Sequence, residues 1–96
     1  MLDFLLELGI SNNVLIDIRK NNSEASIYNF SCNKDDVIKI IQFLNGLGIN
    51  CITQLLIYRL DRFLVSFDSF KKILSDKDMS ELIDLLNDDY TAIDEL

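Results

Sequence analysis

The sequence predicts an all-α fold, a small repeat-like stack of helical hairpins with about six to seven helices in one domain covering residues 1–96. The observations behind this prediction are the absence of proline, the presence of only three glycines, and a segment that the chain repeats. Proteins rich in β-hairpins need glycine, proline and Asn-Gly turns. Apolar residues recur here at helical spacing instead.

The repeated segment ends in Leu-Gly-Ile. Residues 1–10 match residues 40–49, which places Gly9 in correspondence with Gly48, and a partial third copy covers residues 78–87. Self-similarity near forty residues is typical of stacked helical repeats. Each of the two glycines is expected to end a helix in the left-handed conformation, with the following isoleucine packed back on the last turn.

Apolar spacing and candidate caps place the helices along the chain. The predicted helices cover residues 2–8, 12–20, 23–30, 34–47, 51–64, 67–74 and 76–87, with N-caps predicted at Ser11, Ser23, Asn33, Asn50, Ser66 and Ser75. The helix predicted over 51–64 is apolar on most of its circumference, so we expect it at the centre of the core. Residues 90–96 are expected to form a last turn or a frayed tail.

Charge is distributed unevenly along the chain. The formal net charge is −7, and residues 1–75 contain eight acidic and eight basic residues. All of the excess negative charge therefore lies in the acidic C-terminal helix and tail, residues 76–96.

Apolar runs are too short for a membrane span, which needs ~20 residues. The start of the chain contains two acidic residues and no basic segment, so a signal peptide is not predicted. We therefore expect a cytoplasmic protein in which Cys32 and Cys51 are free thiols.

Motifs for catalysis or cofactor binding are not found. The chain has no histidine and no glycine-rich phosphate loop, and its two cysteines cannot supply the four ligands of a structural zinc site. The segment from Asp76 begins like a calcium loop, but Glu81 stands where glycine is needed and Asn87 where glutamate is needed. We expect no enzyme activity, metal or cofactor.

Residues 37–74 resemble a known family of helical repeats. An apolar helix, Phe-Leu-x-x-Leu-Gly-Ile, a second apolar helix, Phe63-Leu64 and Ser66 before a third helix are similar to the repeat of mitochondrial transcription termination factors. The resemblance implies an α-solenoid of helical triplets that binds nucleic acid along a basic concave face. That family carries a proline two residues before the position of Phe63, where this chain has Asp61.

Charged side chains form two candidate surfaces. Asp84, Asp88 and Asp89 are candidates for binding a basic protein partner, although an acidic helix can also serve as the polar end cap of a repeat stack. The candidate nucleic-acid-binding residues, which belong to the alternative function, are Arg59, Arg62, Lys71 and Lys72. Asp61 and Asp68 are expected to neutralise much of that second patch.

The preferred function is a non-enzymatic protein-interaction module that binds a partner through an apolar groove or through its acidic C-terminal helix. The alternative is a nucleic-acid-binding helical-repeat protein, which the acidic balance disfavours. A homodimer is compatible with either function.

Overall fold

Helices make up all of the regular structure in the computed structural model, which describes residues 1–96 and contains no strand. The all-α fold class is thereby confirmed, with seven α-helices and two 3₁₀ segments. The elements are α1 Phe4–Glu7, α2 Asn12–Asn21, α3 Glu24–Cys32, α4 Lys34–Gly46, α5 Ile52–Tyr58, the 3₁₀ segment Leu60–Phe63, α6 Phe67–Ser75, α7 Met79–Asp88 and the C-terminal 3₁₀ segment Tyr90–Glu95.

One hydrophobic core unites these elements. Its 24 buried residues form a single cluster, and no polar or charged residue is buried. Leu55 and Leu56 of α5 are completely buried, and α5 packs against α2, α4 and the 3₁₀ segment Leu60–Phe63. The radius of gyration of 12.7 Å is close to that of a compact domain of this length, roughly 12.5 Å.

The two Leu-Gly-Ile joints adopt the predicted conformation. Gly9 and Gly48 have φ values of +87° and +82°, and they are the only residues with positive φ. The amide of Ile10 donates to the carbonyl of Leu5 at 3.1 Å, and the amide of Ile49 donates to that of Leu44 at 3.1 Å. These hydrogen bonds close the last turn of α1 and α4 in the Schellman pattern.

The glycines at 46 and 48 are expected to respond to alanine in opposite directions. Gly48→Ala should lower the free energy of unfolding by roughly 1–2 kcal/mol, because a Cβ disfavours the left-handed conformation. Gly46→Ala should raise it by about 0.5–1 kcal/mol, since Gly46 is helical and alanine loses less entropy there. Apart from the adjoining backbone and the two neighbouring residues, nothing lies within 4 Å of a Cβ built at either position, so both effects are conformational. Urea unfolding of the two variants measures them, and equal signs would contradict the turn assignment.

Helix caps agree with the predictions at some positions and differ at others. The hydroxyls of Ser23 and Ser66 accept hydrogen bonds from the amides of Ser26 and Ser69, each at 3.1 Å, as predicted. Ser11 precedes α2 without such a bond. Asn33 likewise stands at the N-cap of α4 but caps no amide with its side chain. Two predicted caps are wrong, because α7 begins after Asp78 rather than Ser75 and Cys51 rather than Asn50 precedes α5.

The prediction of one continuous helix over residues 51–64 is wrong. Backbone angles of φ −136° and ψ 43° at Arg59 end α5, and the chain continues as the 3₁₀ segment Leu60–Phe63. The amide side chain of Asn22 donates to the carbonyl of Ile57 at 3.0 Å. This bond from the residue that follows α2 provides a partner for a carbonyl in the last turn of α5, which the interrupted helix leaves without one.

Asn33 joins the α3–α4 junction to the chain after the break. Its side-chain amide donates to the carbonyls of Phe63 and Val65, at 2.8 and 2.9 Å. The C-terminal residues are also anchored, because Ile93 is buried within the core cluster. A frayed tail over residues 90–96 is therefore excluded, and the C-terminal 3₁₀ segment packs against α7.

Candidate functional site

A groove lies between α7 and the C-terminal 3₁₀ segment and has a volume of about 180 Å³. We call it the α7 groove. Its apolar and charged lining residues are Leu82, Leu85, Ala92, Leu96, Lys77, Asp78, Glu81 and Glu95. Leu82 is buried, whereas Leu85 on the same helix remains 47% exposed. The groove thus combines an accessible apolar surface with three carboxylates and one ammonium group.

A second cleft, of about 150 Å³, lies between α6 and the C-terminal residues and is here called the α6 cleft. It shares Leu96 with the α7 groove, and its other lining residues are Asp61, Arg62, Val65, Phe70, Ile73, Leu74 and Ile93. Ile73 is 44% exposed. Because Leu96 lines both cavities, the α7 groove and the α6 cleft are adjacent.

The three aspartates predicted for protein binding lie on α7 or directly after it, and none lines the groove. Asp84 and Asp88 are exposed and make no side-chain hydrogen bond. Asp89 caps the C-terminal 3₁₀ segment, accepting hydrogen bonds from the amide and hydroxyl of Thr91 at 3.0 and 2.7 Å. These two bonds hold the pKa of Asp89 below its usual range.

The carboxylates that do line the groove belong to Asp78, Glu81 and Glu95, which are not among the residues predicted for binding. A usable signal was present in the sequence. Leu82 and Leu86 form the buried stripe of α7, and Leu85 lies beside that stripe with Glu81 one turn earlier. An apolar residue beside the buried stripe and next to an acidic residue indicates an accessible mixed surface.

Arg59 and Arg62 contact the same carboxylate. The Nε and Nη2 atoms of Arg59 donate to the two carboxylate oxygens of Asp94 at 2.8 and 3.0 Å, and Arg62 Nη2 lies 3.9 Å from Asp94 Oδ1. The guanidinium of Arg59 also lies 5.5 Å from the ring centre of Tyr90, which stacks on Tyr58. Arg59 therefore fixes the C-terminal segment to the end of α5.

The remaining candidate cations, Lys71 and Lys72, form no ion pair with a carboxylate. The Lys71 ammonium lies 5.0 Å from the ring centre of Phe67, and Lys72 is exposed in the last turn of α6. Asp61 and Asp68, which were expected to neutralise the patch, form no ion pair with either arginine. Both arginines pair with Asp94 instead. The arginines thus share one site, and the two lysines do not take part in it.

Asp94 should contribute stability that depends on pH. The hydrogen bonds from Arg59 lower the pKa of Asp94 below its ordinary value of about 3.9, so its contribution is complete above that value and is lost as the pH falls through the folded-state pKa. Asp94→Asn should therefore be less stable than the parent near neutral pH, and the difference should shrink below about pH 4. Urea unfolding from pH 3 to 6 measures the difference, with Asp84→Asn as the control. A difference that is constant over this range would contradict the assignment.

Both cysteines are free thiols, with Cys51 buried and Cys32 exposed. Burial raises the pKa of the Cys51 thiol. The structure contains no group of three or more cysteine, aspartate or glutamate side chains arranged to hold a metal ion. No helix has both the length and the apolar character needed to cross a membrane.

Comparisons with protein-family models, with curated proteins and with solved structures give no match to this chain. The resemblance of residues 37–74 to the termination-factor repeat therefore stays a prediction from the sequence.

Proposed function

We propose that this chain is a non-enzymatic protein-interaction module that binds a protein partner through the α7 groove at its acidic end. One observation supports this function above the others. Leu85 is 47% exposed within a groove whose other apolar residues are partly or fully buried. An accessible apolar surface surrounded by polar groups is characteristic of protein-binding sites.

The size of the groove favours side chains of a protein over a small-molecule ligand. Pockets for small molecules usually enclose about 300–1,000 Å³. The α7 groove and the α6 cleft, at about 180 and 150 Å³, are each well below that range. Cavities of this size suit individual anchoring side chains, which supply most of the binding energy at protein interfaces.

A helical-repeat organisation is part of this proposal. In that organisation the acidic end of the chain would be the polar cap of the stack. A cap requires polar residues on its outer face, but it does not require a half-exposed leucine. The exposure of Leu85 therefore distinguishes a partner-binding surface from an inert cap, because only the partner-binding surface needs this side chain.

A capture experiment with matched variants tests the proposal. The full chain is immobilised beside Leu85→Ala and Ile16→Ala, and each is exposed to an extract of the source cells. Ile16 is 39% exposed on α2, so it controls for the loss of an exposed apolar side chain elsewhere. We expect a protein that is retained by the parent and by Ile16→Ala but not by Leu85→Ala. Equal capture by all three variants would contradict the proposal.

Nucleic acid is not expected to bind at a salt concentration near 0.15 M, where charges more than about 8 Å apart are largely screened. Four phosphate contacts would give a slope of log K against log salt of about −3.6. Arg59 and Arg62 already bind Asp94, so only Lys71 and Lys72 of the candidate patch remain without a carboxylate partner.

Fluorescence anisotropy with labelled duplex and single-stranded DNA and RNA measures the binding of nucleic acid directly. Micromolar binding that disappears in an Arg62→Gln, Lys72→Gln double variant of unchanged stability would favour the alternative function, a nucleic-acid-binding helical repeat.

A further inference from the structure

The α7 groove and the α6 cleft differ in charge although they are adjacent. The formal charges of the lining side chains sum to about −2 in the α7 groove, from three carboxylates and one lysine, and to zero in the α6 cleft, from one aspartate and one arginine. A ligand that covers both cavities therefore meets an excess of negative charge over the α7 groove and none over the lining of the α6 cleft. Potentials of opposite sign across an interface steer association and fix the orientation of the partner.

The secondary structure of the bound segment can be inferred by excluding the other modes of peptide recognition. An added β-strand needs a free sheet edge, and this structure has no strand. Polyproline segments dock into grooves lined by exposed aromatic side chains. No aromatic residue lines the α7 groove, and the single one that lines the α6 cleft, Phe70, is buried. A helix that inserts its apolar face into a groove between helices is the recognition mode that the lining of both cavities supports.

We infer that the partner segment is a cationic amphipathic helix, an inference that rests on the proposed function. It inserts one apolar side chain beside Leu85 in the α7 groove and another beside Ile73 in the α6 cleft. Its lysine or arginine residues lie against Glu81 and Glu95. A second copy of this chain is a poorer occupant, because residues 1–75 carry no net positive charge and the remainder is acidic.

Synthetic peptides of about 18 residues, or five helical turns, test this inference. The first peptide carries leucines on one helical face and lysines beside them. In two matched peptides the lysines are replaced by glutamine or by glutamate, and a fourth has the first composition in an order that disperses the leucines. Backbone-amide chemical shifts of the ¹⁵N-labelled full chain are followed during titration. The lysine peptide should bind at least about tenfold more tightly than the other three, a difference of about 1.4 kcal/mol.

The shift changes should be confined to α6, α7 and the C-terminal 3₁₀ segment. Leu85→Ala should weaken binding of the lysine peptide about tenfold or more. Glu81→Gln with Glu95→Gln should weaken it several-fold and reduce its dependence on salt. Ile16→Ala and Asp17→Asn, two changes at exposed positions of α2, should leave the affinity unchanged.

The remaining outcomes separate this inference from the proposed function. Equal binding of the lysine and glutamine peptides in the groove would overturn the cationic partner and leave the interaction module intact. Equal binding of the dispersed peptide would overturn the helical partner. If no peptide shifts the groove residues, the inference and the groove itself both fail. Concentration-dependent shifts of the same residues without peptide would assign the groove to a second copy and overturn the inference.

Discussion

Leu56→Ala is expected to lower the free energy of unfolding by about 2–5 kcal/mol. Leu56 is completely buried in α5, which packs against α2, α4 and the 3₁₀ segment Leu60–Phe63. Truncation removes the buried methyl groups and leaves a cavity that surrounding helices fill only in part. Urea unfolding followed by circular dichroism at the helical minima measures the change.

Leu85→Ala is the matched control, because it is the same truncation at a side chain that is 47% exposed. Its loss should stay below about 1 kcal/mol, since little apolar surface returns to water. A loss below about 1 kcal/mol for Leu56→Ala as well would show that α5 is not the centre of the core. The control also establishes that Leu85→Ala is folded, which the binding experiments require.

The sequence predicts those parts of the fold that depend on local chemistry. The left-handed glycines at 9 and 48 were predictable because the glycine and the apolar residue after it are neighbours in the chain. The caps at Ser23 and Ser66 were predictable for the same reason, since each hydroxyl accepts from an amide three residues later.

The interruption at Arg59 could not be predicted from the sequence. Leu60 and Phe63 are three residues apart, a spacing that places both on one face of an α-helix or of a 3₁₀ helix. No proline or glycine marks the break. The interaction that accompanies it is the hydrogen bond from Asn22 to Ile57, across 35 residues. Periodicity contains no information about partners so distant in the chain.

The charge distribution directs attention to the acidic segment 76–96, and residues of this segment line the α7 groove. The residues that line it do not include the three predicted for binding, Asp84, Asp88 and Asp89. The sequence could not show that Asp89 caps a 3₁₀ segment or that Asp94 pairs with Arg59, because both roles depend on how the last residues pack. The distribution of acidic residues therefore indicated the acidic end of the molecule but not the residues that line the α7 groove.

The fold and the groove are connected through Arg59. Arg59, the residue at which α5 ends, pairs with Asp94 and lies over Tyr90, and both contacts hold the C-terminal 3₁₀ segment. That segment supplies Ala92 and Glu95 to the wall of the α7 groove. The residue at the interruption thus holds one side of the candidate binding surface.

Phe63→Ala tests whether the chain after this interruption belongs to the core, and it is expected to lower the free energy of unfolding by about 3–5 kcal/mol. Phe63 is 1% exposed, and its ring meets Phe30 edge-on at 6.1 Å between centres. Phe30 stacks in turn on Phe4 at 5.8 Å, so three rings connect α1, α3 and the 3₁₀ segment. Each aromatic pair contributes about 0.5–1.5 kcal/mol beyond its buried area.

Urea unfolding measures the loss, and Phe67→Ala is the control. Phe67 is half-buried and also packs edge-on against a phenylalanine, Phe43, so the two truncations differ mainly in the surface that returns to water. Phe67→Ala should therefore cost less than half as much. A domain of this size has a total stability of roughly 5–14 kcal/mol, so Phe63→Ala removes a large fraction of it. A loss for Phe63→Ala as small as that for Phe67→Ala would mean that the 3₁₀ segment Leu60–Phe63 lies at the edge of the core.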